Sequence, residues 1–170
     1  GWQEDLRRCH EVHRMPGIRL HPNYHGYSLS HPAFAELLAA AGDRKLVVQL
    51  ALSLEDERTQ HPLMRVPPVD PAPLAAIVAR QRGLRLVVLN RSRVPAGPDL
   101  QQLAKAGEVC FDIATIEGVG CVQSLVEAVT AERVVFGSHS PFQYFDSALL
   151  KLKESAITGA TETAIRTGNA

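Results

Sequence analysis

A chain of 170 residues, 45% hydrophobic and 21% charged, is long enough and apolar enough to bury a core, which excludes a disordered segment. Its 18 Lys+Arg balance 18 Asp+Glu, so it lacks the basic excess expected of a nucleic-acid or membrane-surface binder. Its apolar runs are too short to span a bilayer and no charged-then-apolar leader opens it, so a soluble, cytoplasmic protein is expected.

The opening residues are helical in pattern. Trp2, Leu6, Cys9 and Val12 fall on one face, and a chain that starts in mid-helix points to an upstream portion. From residue 17 one unit repeats: apolar strand, loop, amphipathic helix. Strands are expected at 17–21 (GIRLH), 45–53 (KLVVQLALS), 84–90 (LRLVVLN), 108–114 (EVCFDIA) and 133–138 (RVVFGS). Their near-continuous hydrophobicity is that of a parallel sheet covered by helices. Between them, Ser30 can cap a helix ending at Gly42, and Asp70 can cap one ending at Gly83. Asp99 opens one ending at Gly107, and further helices are expected over 120–131, 147–154 and 161–166. The long loop 54–69, rich in charge and proline, is the one irregular connection.

Five such units allow an open doubly wound sheet or a closed barrel. No G-x-G-x-x-G follows the first strand, so a dinucleotide-binding sheet loses support. A full (β/α)₈ barrel needs about 250 residues, so the barrel reading places about three further units upstream. Were the 170 residues the whole chain, the open strand edges would favour a homo-oligomer. Cys9, Cys110 and Cys121 show no C-x-x-C pair, and read as small buried hydrophobes rather than a disulfide framework or zinc knuckle.

In parallel βα folds the sites form at the carboxyl ends of strands. The chain places there His21, Asn23, Tyr24 and His25; then Ser53, Glu55, Asp56, Glu57, Arg58 and His61. Asn90, Arg91 and Ser92 follow the third strand, Thr115 and Glu117 the fourth, His139 and Ser140 the fifth. His21, His25, His31, His61 and His139 thus belong to loops of one face, where imidazoles could serve as acid/base groups or metal ligands. Alternation in the second strand sets the large Val48, Leu50 and Leu52 against helices and points Gln49, Ala51 and Ser53 inward. The same rule turns Arg19, His21 and Asn23 inward, with Cys110, Asp112 and Ala114; an Arg19–Asp112 ion pair that merely fixes the interior is an equal reading.

The stretches GIRLHPNYHGYSLSHP (17–32), EDERTQHPLM (55–64) and RVVFGSHSPF (133–142), with the ending TAIRTGNA (163–170), resemble the amidohydrolase-related metal-dependent hydrolases. The resemblance implies a (β/α)₈ barrel of which this chain holds strands four to eight. It also implies hydrolysis of a small carbonyl, lactone or amide substrate by a metal-activated water; some members are decarboxylases. The family holds its metal with an H-x-H pair on strand one, histidines ending strands five and six, and an aspartate ending strand eight. Here those last positions carry Gln49 or Ala51, Asn90 and His139, a set that does not match a zinc-like divalent ion. The site expected from the sequence therefore has His21, His61 and His139 as catalytic groups and Asn23, Tyr24, Asn90 and Glu117 as substrate-binding groups. The partner expected is a small molecule, with neither nucleic acid nor membrane. The alternative is a barrel without catalysis that keeps a small-molecule pocket or serves a structural role.

Overall fold

The computed structural model describes residues 1–56, 58–91 and 98–169. Glu57 and Ser92, both placed at strand ends by the sequence, lie outside the described residues.

The five strands are β1 (Gly17–Leu20), β2 (Val47–Ala51), β3 (Arg85–Leu89), β4 (Glu108–Asp112) and β5 (Val134–Val135). They pair in parallel and in sequence order, β1-β2-β3-β4-β5. Sequential parallel neighbours joined by helices are the wall of a (β/α) barrel, whereas a doubly wound sheet reverses its strand order. The helices are α1 (Trp2–Arg7), α2 (Pro32–Asp43), α3 (Leu74–Val78), α4 (Pro98–Ala106), α5 (Cys121–Val129), α6 (Phe145–Lys153) and α7 (Gly159–Thr163). Among the described residues no helix is long and apolar enough to cross a membrane.

The core lies between sheet and helices. Val48, Leu50, Leu86, Val88, Val109, Phe111 and Val134 are buried from alternate strand positions. Leu38, Leu74, Leu100, Leu125 and Leu152 meet them from the helices. The opposite face carries one aligned row, Arg19–Gln49–Val87–Cys110, and Asp112 beside Val135 in the next. The alternation expected from the sequence is thus present.

Several element boundaries differ from the expectation. The cap of α2 is His31, not Ser30: its Nδ1 accepts the Ala33 N–H at 3.2 Å. Pro32 has no N–H to lose and takes the first helical position, so the cap falls on the residue before it. Asp70 does accept the Ala72 N–H at 3.0 Å, but α3 starts only at Leu74. Pro73 disfavours a helical Ala72, which delays the start. The opening helix widens after Arg7, where the His13 N–H reaches the Arg8 carbonyl, and Val12 is left exposed. Gly83, expected to end the helix after Asp70, has a left-handed φ of +67° but lies beyond α3, which stops at Val78; Gly42 lies within α2, where a Cβ would meet the Arg82 carbonyl at 2.8 Å.

Candidate functional site

Two of the segments that follow strands carry non-glycine residues with left-handed backbones. Asn90, after β3, has φ +55°, and His139, after β5, has φ +54°. Asparagine tolerates this region and histidine visits it occasionally, at a cost of order 1 kcal/mol. Such strain persists only where the surroundings over-determine it, and it concentrates at functional sites.

Asn90 is buried and its surroundings are clear. Its Nδ2 donates to the Ser53 carbonyl at 3.0 Å, and Ser53 Oγ donates back to the Asn90 carbonyl at 2.7 Å. The pair ties the end of β3 to the end of β2. His139 packs against Phe142 with the rings tilted by 35° and centroids 5.4 Å apart. Burial, then the positive Arg19, holds its imidazole below the ordinary range. His21 is held low for the same leading reason, with Arg19, His25 and His139 adding to it. Its Nδ1 is buried without a hydrogen-bond partner. Both imidazoles are thus lowered by the same two causes, burial and the charge of Arg19.

His61 does not join them. It is exposed, and its Nδ1 accepts the Leu63 N–H at 3.2 Å in its own turn. Asn23 donates to the Pro67 and Pro68 carbonyls at 2.8 and 2.6 Å, stitching the β1 loop to the long loop 54–69. Tyr24 is half exposed, edge-on to His25 with centroids 5.2 Å apart. Glu117 receives Arg58 at 3.0 Å; Arg58 also holds Asp56, whose carboxyl is drawn down to about 2 by that hydrogen bond. This ion-pair clasp borders an open cleft of about 560 Å³ that Asn90, Arg91, Thr115 and Glu117 also line.

Arg19 and Asp112, read from the sequence as an equal chance of an ion pair, do not form one. Arg19 Nε donates to Gln49 Oε1 at 2.8 Å, along the row that register sets. Asp112 turns to the backbone: burial pushes its carboxyl up to about 6, against the N–H groups of Ala114 and Asn90, which stabilise the charged form. Its carboxyl fills the place of a side chain at Gly137, where a Cβ would lie 1.7 Å from Oδ2. Lys151 was not anticipated. It sits on α6, and its Nζ donates to the Ile113 and Ala114 carbonyls at 2.8 Å each, capping the end of β4. A lysine on an amphipathic helix carries no sequence signal for that inward role.

An aligned parallel sheet in sequence order, with Arg19 and Gln49 on its inner face, is the wall of a partial (β/α) barrel. The amidohydrolase family model matches residues 3–170, and the chain belongs to that family. No curated protein matches the chain. Among solved structures it is similar to 5-carboxyvanillate decarboxylase from Sphingomonas paucimobilis, with TM-score 0.70, 12% identity, 98% of this chain and 60% of that one. It is similar to 2,6-dihydroxybenzoate decarboxylase from Rhizobium, with TM-score 0.67, 12% identity, 98% of this chain and 64% of that one. A third is 4-oxalomesaconate hydratase from Rhodopseudomonas palustris, with TM-score 0.62, 13% identity, 99% of this chain and 58% of that one. At these identities the likeness shows the fold. The chain thus spans 58% to 64% of those three structures, as a partial barrel does.

The residues at the family's metal positions do not fit a zinc-like ion. Gln49 Oε1 is taken by Arg19, Ala51 has no donor atom, and Asn90 offers only a neutral amide oxygen, a weak ligand for such an ion. Among the described residues no three His, Cys, Asp or Glu side chains converge on one point. Imidazole at His139 also cannot bridge or bind as a carboxylate does.

Proposed function

We propose that this chain is part of an amidohydrolase-family enzyme that hydrolyses a small carbonyl, lactone or amide substrate through imidazole acid/base chemistry. The observation that carries the reading is that His21 and His139, each partly buried in a loop after a strand, are both held below the ordinary imidazole range by burial first and then by the charge of Arg19. An imidazole that is neutral at pH 7 can accept a proton from water as its oxygen attacks the carbonyl carbon. The tetrahedral intermediate then collapses, the carbon–heteroatom bond breaks, and the imidazolium returns its proton to the leaving amine or alkoxide. His139 on its strained backbone is assigned the proton transfer, and His21 the second imidazole. Asn90 and Glu117 line the cleft, Asn23 and Tyr24 border the smaller pocket beside His21, and His61 is left with substrate access only. The partner is a small molecule, and the compartment proposed is the cytoplasm.

A second reading has its own support. Gln49 Oε1 and Asn90 Nδ2 are each engaged within the protein, as in a barrel that binds a small molecule without turning it over. A screen of activated esters, lactones and amides against wild type, His139→Ala and His21→Asn separates the two. The hydrolase reading expects turnover that falls at least tenfold in both variants. Turnover unchanged in both variants would remove the imidazoles from the chemistry, and no turnover of any substrate by wild type would favour the binding barrel.

A further inference from the structure

Among the described residues Asp112 is the single charged side chain that is buried, and the chemistry proposed for the imidazoles does not use it. It ends β4, the strand between β3 and β5, and lies opposite Val135. From there it reaches the ends of all three strands. Its Oδ1 accepts the Ala114 N–H at 3.3 Å, and the Asn90 N–H after β3 also favours its charged form. Toward β5 its Oδ2 lies against Gly137, in the space where any other residue would place its Cβ. Burial pushes the carboxyl up to about 6, so the acid keeps this seat against a desolvation cost. Natural chains break local rules of this kind chiefly at functional sites.

Asp112 stands between the two left-handed residues, Asn90 and His139. It faces the N–H of the first, and its Oδ2 is wedged against the backbone two residues before the second. The turn that carries His139 is tied within itself. Ser140 N–H donates to Ser138 Oγ at 3.3 Å, and Gln143 N–H donates to the His139 carbonyl at 3.1 Å. Those bonds fix the turn internally but not its place on the sheet. Its entry is held by Phe136 N–H on the Ile165 carbonyl at 2.9 Å. The carboxyl under Gly137 then sets the direction in which the chain leaves β5. A strained backbone persists only where its surroundings over-determine it, and this wedge supplies that constraint. We propose that Asp112 is the positioning residue for His139: its carboxyl, seated under Gly137, holds the turn that gives His139 its left-handed backbone and its place at the strand ends. The functional half of the inference rests on the reading of His139 as the proton-transfer group; the structural half does not. Asp112 acts through the turn and not on the reacting atoms. The seat is filled by shape, so an amide of the same outline fills it too.

The test reads His139 directly by NMR of the labelled full-length protein. The one-bond Cα–Hα coupling and the Cβ shift of His139 separate positive from negative φ, and its ring protons give its titration. Wild type is expected to show a positive φ. Asp112→Ala, with an unchanged circular dichroism spectrum, is expected to lose that signature. Its His139 titration then moves toward model imidazole, because a released ring gains water. His61, exposed in its own turn, is expected to stay as in wild type. Asp112→Asn, which keeps the shape, is expected to keep both His139 signals. Should Asp112→Ala fail to fold, Asp112→Ser gives the same reading: it keeps an oxygen for the Ala114 N–H but leaves the seat at Gly137 empty. A wild-type His139 signature in whichever of these two variants folds would overturn the inference. So would a change in Asp112→Asn as large as that in Asp112→Ala. On a substrate that wild type turns over, Asp112→Ala is expected to lower kcat at least tenfold at little-changed KM, and Asp112→Asn to recover most of it. Turnover that falls in His139→Ala but not in Asp112→Ala would sink the positioning role alone. A displaced His139 in Asp112→Ala, with no turnover by wild type, would sink the hydrolysis alone.

Discussion

Gly137→Ala is the sharpest test of how the inner face is built. The added Cβ would fall 1.7 Å from Asp112 Oδ2 and 2.8 Å from its Cγ, but 3.5 Å from its Cβ. The carboxyl group alone is the obstacle, because 3.5 Å is ordinary contact. Alanine must therefore expel the carboxyl from its seat and break its bond from the Ala114 N–H. Overpacking of this kind costs about 1–3 kcal/mol, and an unmade buried hydrogen bond about 1 kcal/mol more. A loss of about 3 kcal/mol is expected in urea unfolding at pH 7, read from the midpoint at constant m. Asp112→Ala removes the obstacle, so in that background Gly137→Ala is expected to cost less than about 0.5 kcal/mol. The coupling between the two positions is then of order 2 kcal/mol. An equal cost of Gly137→Ala in both backgrounds would refute the packing argument.

Further outcomes follow from the same geometry. Asp112 titrates about two units above its ordinary value of 3.8, at about 6, because it is buried. The folded state then binds more protons than the unfolded state between those values. The associated stability is fully present below about pH 4 and lost as pH rises through 6. It is of order 3 kcal/mol by linkage, and Asp112→Asn is expected to flatten that part of the urea-midpoint profile. By proton NMR, His21 and His139 are expected to titrate below model imidazole; Arg19→Gln raises both but leaves the part due to burial, and unmoved curves would disprove the influence of Arg19. Asn90→Ala is expected to lose about 1–3 kcal/mol in thermal or urea unfolding through its bond to Ser53 and its left-handed backbone, with Asn90→Gly recovering the backbone part. Lys151→Met leaves the Ile113 and Ala114 carbonyls without that donor and is expected to cost about 1–3 kcal/mol in the same measurement, while Lys151→Arg recovers part.

Much of this protein follows from its sequence alone, wherever the physics is local. The alternation through 47–53 fixes which side of β2 meets the helices, because successive side chains must point to opposite faces. That rule placed Arg19, Gln49, Cys110 and Asp112 together on the inner face, and the repeated strand–helix unit with its RVVFGSHSPF frame pointed to the family barrel. Face is a property of one strand, but partner is a property of several. Register set Arg19 opposite Gln49, and the absent side chain at Gly137 gave Asp112 a seat that no pattern along the chain records. Loop conformation turned His61 into its own turn and away from His21, though both follow strands of the same sheet. The inward lysine of α6 was set only by the packing of that helix over β4. Sequence decided the faces and the scaffold; the tertiary structure decided which charges meet, because long side chains find partners through space rather than along the chain.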